Sequence, residues 1–347
     1  MYIITSFIRR RLLVLLHYKL FDLATIHRSE KISEIQTLEL GVYSDSTVEK
    51  ILDPRSSRLI THAYNPRKIF RASNLILEPR QAALYTKSGT FVFESSSWPR
   101  GYFYHSFPFN PSKRREYKKL EDGIPLSSAS YYHWMIEDLP TTIAVMAKLP
   151  EYPLLVGVNR PSYVDRFIET SGRKVIELSG PTEIENLGFL EKSGDAGWPH
   201  PADLSVLKTY APFLNAIAGL SGKKLFVSRR NSSRSPKNEI EIETLFREYG
   251  FAIVELQDLD LLQQISLVSE SEVIAGVHGA GLTNMLWMHP RGEVIDIVNS
   301  GYWTECFHRL AFFGQLTYTP FEYSGEPESV VPIDSLKSFL DTRFTHE

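Results

Sequence analysis

The sequence is short of cysteine, of surplus charge and of long apolar runs, and each shortage removes a class of protein. One cysteine, Cys306, stands among 347 residues, so no internal disulfide can form and a reducing compartment suits the chain. No glycine-rich elbow surrounds Cys306, which reads as a small core residue rather than a nucleophile. Lys and Arg number 38 against 41 Asp and Glu, a net charge of −3, which excludes coating of nucleic acid by charge alone. Any anion must therefore be met by locally placed arginines. The apolar run Leu12–Leu16 follows Arg9-Arg10-Arg11 and stops at His17, Tyr18 and Lys19. It falls well short of the ~20 apolar residues a membrane-spanning helix needs. No small-residue cleavage site follows it, so it is a poor secretory signal. Residues 1–35 read either as a segment packed on the domain or trailing from it, or as a basic amphipathic stretch at an anionic membrane face.

What is present is ordinary globular material, 43% hydrophobic and 23% charged, with length enough for two cores. Residues 36–98 read as strand-rich, with alternation over Thr37–Tyr43, Lys68–Leu77 and Ala83–Glu94. Residues 99–126 are aromatic and basic, with Lys113, Arg114, Arg115, Lys118 and Lys119 close together, and read as a solvated loop, with acceptor or lipid contact as the alternative. From Ser130 the pattern changes to strands alternating with helices. Helices are expected over Ser130–Lys148, Pro161–Ser171 and about 202–219, and strands over Pro153–Val158, Arg173–Leu178 and Ile184–Leu190. A second alternating unit follows, with strands at Lys224–Ser228, Phe251–Leu256, Glu272–Val277 and Glu293–Val298. Its helices fall at Asn238–Tyr249, Leu261–Ser269 and Gly279–Met288. Such alternation predicts an α/β fold with parallel sheets, here two Rossmann-like lobes facing a cleft behind a strand-rich N-terminal portion. The divisions are 1–35, 36–215, 216–320 and 321–347, the last including a helix near 333–341 that returns toward the first lobe.

Three motifs carry chemistry. In Lys224–Asn231 an apolar strand ends in Ser228-Arg229-Arg230. Guanidinium groups match phosphate oxygens in a fixed fork, and ligands of open α/β sheets gather at carboxyl strand ends. A basic surface loop would look the same. In Gly276–Asn284 another strand enters the small-residue turn His278-Gly279-Ala280-Gly281, followed by Leu282, Thr283 and Asn284. Small residues admit a ligand to the backbone, and the first amides of a helix attract anions. Packing alone also selects glycine in tight turns, and His278 could be a satisfied core histidine. In Tyr131–Pro140, a helix would place His133 and Glu137 on one face, an imidazole with an orienting carboxylate. An amphipathic core helix is the plain alternative. Asp258-Leu259-Asp260 has the spacing of a metal-binding carboxylate pair, but Asp260 precedes a helix and Gln263 stands three residues on, which is a capping box.

The order His133-Trp134…Asp138-Leu139-Pro140, Ser228-Arg229-Arg230…Asn238-Glu239 and Gly276–Asn284 resembles glycosyltransferase family 61 over roughly residues 125–320. The resemblance implies a two-lobed GT-B fold and an inverting transfer from a nucleoside-diphosphate sugar, with no cofactor and no essential metal. Residues 36–215 would then be the acceptor-side lobe and 216–320 the donor-side lobe. On the donor side it places Arg229, Arg230 and the turn of His278, Gly279, Ala280, Gly281, Thr283 and Asn284. Either His133 or Asp138 would be the catalytic base, with His133 favoured because a neutral imidazole accepts protons near pH 7. The expected partners are a nucleotide sugar and a glycan or glycolipid acceptor, in a cytoplasmic protein of surface-polysaccharide synthesis with peripheral membrane contact. A non-catalytic binder of the same fold and a nucleotide-sugar epimerase are the rival readings.

Overall fold

The computed structural model describes residues 37–45, 47–52, 59–64, 66–80, 82–87, 92, 116–128, 130–192, 197–230, 232, 235–302, 304–325 and 329–344. The N-terminal segment 1–35, the basic cluster Lys113–Arg115 and Arg234 lie outside these residues.

The first half builds a mixed sheet. Its strands are β1 (Thr37–Ser44), β4 (Arg67–Glu78), β5 (Ala83–Tyr85), β6 (Lys118–Leu126), β7 (Leu154–Gly157), β8 (Val175–Leu178) and β9 (Thr182–Leu190), while β2 (Thr47–Leu52) and β3 (Leu59–Tyr64) pair as a separate hairpin. The order is β1-β4-β9-β6-β7-β8, with β5 on β4. Strands β6 to β9 run parallel, but β4 is antiparallel to β1, β5 and β9. The expectation of a parallel sheet in the first lobe is therefore corrected to a parallel run, β9-β6-β7-β8, extended at one edge by antiparallel β4, β1 and β5. Strand β4 is followed by a short turn into β5 rather than by a helical crossover, and chain reversal of that kind leaves only antiparallel pairing. The solvated loop expected up to residue 126 is corrected as well. Strand β6 lies between β9 and β7, with Lys118 and Lys119 at its exposed start and Ile124 and Leu126 wholly buried.

Helix α1 runs continuously through Tyr131–His133, a π-helical turn Trp134–Asp138 and Leu139–Lys148. The π turn falls where Pro140, which has no N–H, interrupts the ladder, and the Leu139 amide reaches back to the Trp134 carbonyl. Helix α2 (Ser162–Ser171) ends at Gly172, whose φ of 62° is the left-handed cap that glycine adopts freely. Helix α3 (Pro201–Thr209) leads toward the second half.

There a parallel sheet forms in the order β11-β10-β12-β13-β14, from β10 (Lys223–Val227), β11 (Ala252–Val254), β12 (Ser271–Val277), β13 (Glu293–Asn299) and β14 (Thr317–Tyr323). Between the strands stand α4 (Glu239–Glu248), α5 (Leu261–Ser269), the 3-10 segment Ala280–Trp287 and α6 (Cys306–Gly314). The chain closes with α7 (Ile333–Asp341). Helix α5 begins with the foreseen capping box, Asp260 accepting from Leu262 and Gln263 while Gln263 accepts from the Asp260 amide. Segment Ala280–Trp287 is a 3-10 rather than an α-helix. Strand β14 was not legible because Pro320 breaks its pattern, a residue tolerated on this sheet edge.

The expected return of the C-terminal helix toward the first lobe is corrected. Leu336 and Leu340 of α7 pack with Phe226, Ile242, Phe246 and Tyr249 of the second sheet. Asn238 holds the chain leading into α7 by two bonds with the Val331 backbone, each 2.9 Å, and Tyr249 donates to Asp341 at 2.6 Å. The two sheets also share an apolar core. Trp134, Leu139 and Ile143 of α1 and Phe167 of α2 belong to one cluster with Val227, Ile274, Met285, Trp287 and Phe307.

Candidate functional site

Strand β10 is central in its sheet, with β11 on one side and β12 on the other. The chain thus turns away in opposite directions after β10 and after β11, and a crevice opens at the carboxyl ends of β10 and β12. A cleft of about 700 Å³ occupies this place. Its floor is Val227, Ser228, Val277 and the turn Gly279–Gly281, one side is the Leu256–Leu261 loop, and the opposite wall is Tyr131 with Ser162–Glu169 of α2. The first half therefore contributes a wall to a crevice made by the second.

The two glycine-and-arginine motifs meet here. Arg229 lies across Gly279 and donates through Nη1 to the His278 carbonyl and through Nε to Ser232 Oγ at 3.2 Å. A Cβ on Gly279 would stand 2.0 Å from Arg229 Nη1, so only glycine lets this side chain pass. Gly276 and Gly281 serve packing instead. A Cβ on either would press on Val227, at 3.0 Å from its carbonyl oxygen and 2.8 Å from its Cγ1 respectively. The first 3-10 bond of the turn is Leu282 N–H to Gly279 O at 2.9 Å. The amides of Ala280 and Gly281 thus precede the ladder and border the cleft.

The remaining motif residues separate. Asn284 borders the cleft, but its amide is engaged, with Oδ1 accepting from Tyr131 at 2.9 Å and Nδ2 donating to Gln264 and Gly281, each at 3.2 Å. Arg230 points away from the cleft and pairs with the fully buried Glu243, which Arg247 and Ser228 Oγ also reach. Thr283 is fully buried outside the lining. His278 also lies off the lining, its Nδ1 paired with buried Asp296 at 2.9 Å and its Nε2 at 3.0 Å from Thr304 Oγ1. Burial opposes protonation of His278, but the Asp296 carboxylate outweighs it and raises the pKa to about 10. Arg230, His278 and Thr283, expected as direct donor contacts, are not among the residues lining the cleft.

On α1, His133 Nδ1 meets Glu137 Oε1 at 2.8 Å, and the Gly197 amide donates to the same oxygen at 2.6 Å. A carboxylate oxygen accepts, so Nδ1 is the donor of this bond. The His133 side chain is 22% exposed and does not line the 700 Å³ cleft. Asp138 is nearly buried and accepts from Lys192 and Ser127, an ion pair on the first sheet. Asp138 and His133 thus stand on the same helix with different partners, and Asp138 is not among the residues lining the cleft.

Cleft-lining residues that pattern reading did not mark include Asp165, Arg166 and Glu169 of α2. Nothing local marks them, because α2 faces the cleft only through tertiary packing. Arg166 bridges to Glu169 at 2.5 Å and across to Asp260 at 3.0 Å. Asp165, Glu169, Asp258 and Asp260 thus line the cleft beside Arg166 and Arg229, and Arg229 is the cation facing the glycine turn. Among the described residues no group of three or more His, Cys, Asp or Glu is placed to hold a metal ion, and no helix is long and apolar enough to cross a membrane.

The segment that builds both walls of the cleft is similar to a known family: residues 131–295 match the model of Glycosyltransferase 61. A relative named alpha-1,3-arabinosyltransferase XAT3, from Oryza sativa subsp. japonica, is 34% identical over 82 residues. The aligned part covers 22% of this chain and 14% of that relative.

Proposed function

We propose that this chain is an inverting glycosyltransferase of GT-B type that moves a sugar from a nucleoside-diphosphate donor to a hydroxyl of a glycan or glycolipid acceptor. The observation that carries the reading is Arg229 lying over Gly279 at the sheet's switch point, beside amides that precede a 3-10 ladder. A guanidinium and free-facing amides are the groups that stabilise charge building on a departing diphosphate, so the donor needs no divalent cation. The nucleoside and sugar extend into the cleft between α2 and the Leu256–Leu261 loop. His133, oriented by Glu137, deprotonates the acceptor hydroxyl from the side of Gly197. The name of the rice relative puts arabinose first among donor sugars to try. The setting we propose is cytoplasmic synthesis of a surface polysaccharide, with peripheral contact at the inner face of a membrane.

The test is release of nucleoside diphosphate from a panel of nucleotide sugars, with and without glycan acceptors, in excess EDTA. Turnover that survives chelation is the expected result. Activity lost on chelation and restored by magnesium or manganese overturns the metal-free account, and Asp258 then becomes the first ligand to examine. Binding without turnover on any donor and acceptor overturns the enzymatic reading.

A further inference from the structure

The helix that follows the arginine loop presents two carboxylates one turn apart, Glu239 and Glu243, and both are buried. Like charges at this spacing repel, so each needs a local reason. Glu243 has three partners in Ser228, Arg230 and Arg247. Glu239 is different. Its Oε1 accepts the Arg229 main-chain amide at 2.8 Å, while Oε2 is buried with no hydrogen-bond partner among the described residues. Burial, reinforced by Glu243, raises its pKa against the pull of the Arg229 amide. A buried carboxyl with one oxygen idle is costly, and its single contact falls on the residue that crosses Gly279.

We infer that Glu239 is a positioning residue for diphosphate binding, fixing the Arg229 main chain so that the guanidinium reaches over Gly279 toward the turn amides. The inference rests on the donor reading above. Arg230, paired with Glu243, is then no phosphate ligand. The contact needs an acceptor at the right reach, and the negative charge is dispensable. Glutamine keeps the carbonyl oxygen at that reach, whereas aspartate keeps the charge but withdraws it by one methylene.

The experiment is calorimetric titration of the full chain with inorganic pyrophosphate, which probes the grip independently of base and sugar. Arg229→Ala, Glu239→Ala and Glu239→Asp should each weaken binding by roughly tenfold or more. Glu239→Gln should stay within about threefold of the unaltered protein. The order Gln above Asp is the signature, since a charge effect or loss of folding would give the reverse or neither. Tight binding by Glu239→Asp with loss in Glu239→Gln overturns the inference. So does unchanged binding in Glu239→Ala beside a weakened Arg229→Ala, and in that case the donor reading stands. Absence of binding by the unaltered protein removes the donor reading and the inference together.

Discussion

The two sheets were read from similar strand-and-helix patterns, yet they treat their polar motif residues in opposite ways. In the first sheet Asp138 is closed into a buried pair with Lys192, and Arg67 likewise meets Asp203 at 2.8 Å with both side chains nearly inaccessible. In the second, Arg229 stays half-buried at a strand end beside a 700 Å³ cleft. The difference follows from pairing. The first sheet carries antiparallel strands at one edge, whereas an all-parallel sheet sends every strand toward the same rim and gathers its loops there. A polar residue after a strand is thus a candidate ligand in the second half and a candidate buried pair in the first.

The sharpest break of this comparison uses two neighbours on α1. His133→Ala should lower turnover by ~10²–10⁴ with donor affinity nearly unchanged. Asp138→Asn should instead cost about 3–5 kcal/mol of stability, because it leaves Lys192 buried without its counter-charge, as urea denaturation would show. If Asp138→Asn leaves stability intact and removes turnover, the roles of the two residues exchange. Next in size is the contrast within Ser228-Arg229-Arg230. Arg229→Ala should weaken nucleoside-diphosphate binding by roughly 1.5–3 kcal/mol while Arg230→Ala spares it. Gly279→Ala should behave like Arg229→Ala in calorimetry with the fold retained, since the intruding methyl meets the flexible end of a side chain.

A smaller effect separates the sheets by pH. His200, buried near the Arg67–Asp203 pair, has its pKa lowered to about 4 by desolvation, with Arg67 adding to the shift. The unfolded chain binds the proton near 6.5 while the folded chain refuses it until about 4. Stability from this group is therefore complete above 6.5 and is lost as the pH falls toward 4. His278 has the opposite sign. Its raised pKa gives stability that is complete below 6.5 and lost as the pH climbs toward about 10. Melting curves across that range should lose the acid-side decline in His200→Gln and the alkaline-side decline in His278→Gln. The smallest change is expected from Arg166→Ala, whose exposed bridges are screened by salt. Its melting temperature should scarcely move at high ionic strength.

The second sheet was the more legible half because its signals are local. Leu225–Val227, Val273–Val277 and Val294–Val298 are near-continuous apolar runs, and Asp260 with Gln263 announces a helix start within four residues. The meeting of Arg229 with Gly279 was also foreseeable, since parallel strands bring their carboxyl ends together. What remained hidden depends on partners distant in the chain. Lys118 to Asp122 look like a charged loop until β9 pairs beside them. Arg230 looks identical to Arg229 until α4 brings Glu243 beneath it. The cleft wall of α2 has no sequence mark at all, for its residues face the site only through the apolar contacts of Phe167 with Trp134 and Phe213.

That shared apolar core bears on how the chain can be cut and recombined. Residues 216–320 expressed alone would carry the parallel sheet and the arginine turn but would lose Trp134, Leu139 and Phe167 from against Met285, Trp287 and Phe307. The exposed face would drive self-association rather than yield a free nucleotide-binding module. Swapping donor specificity between relatives should therefore succeed when the graft begins at Tyr131, so that α1 travels with the sheet it covers, and fail when it begins at the linker before β10.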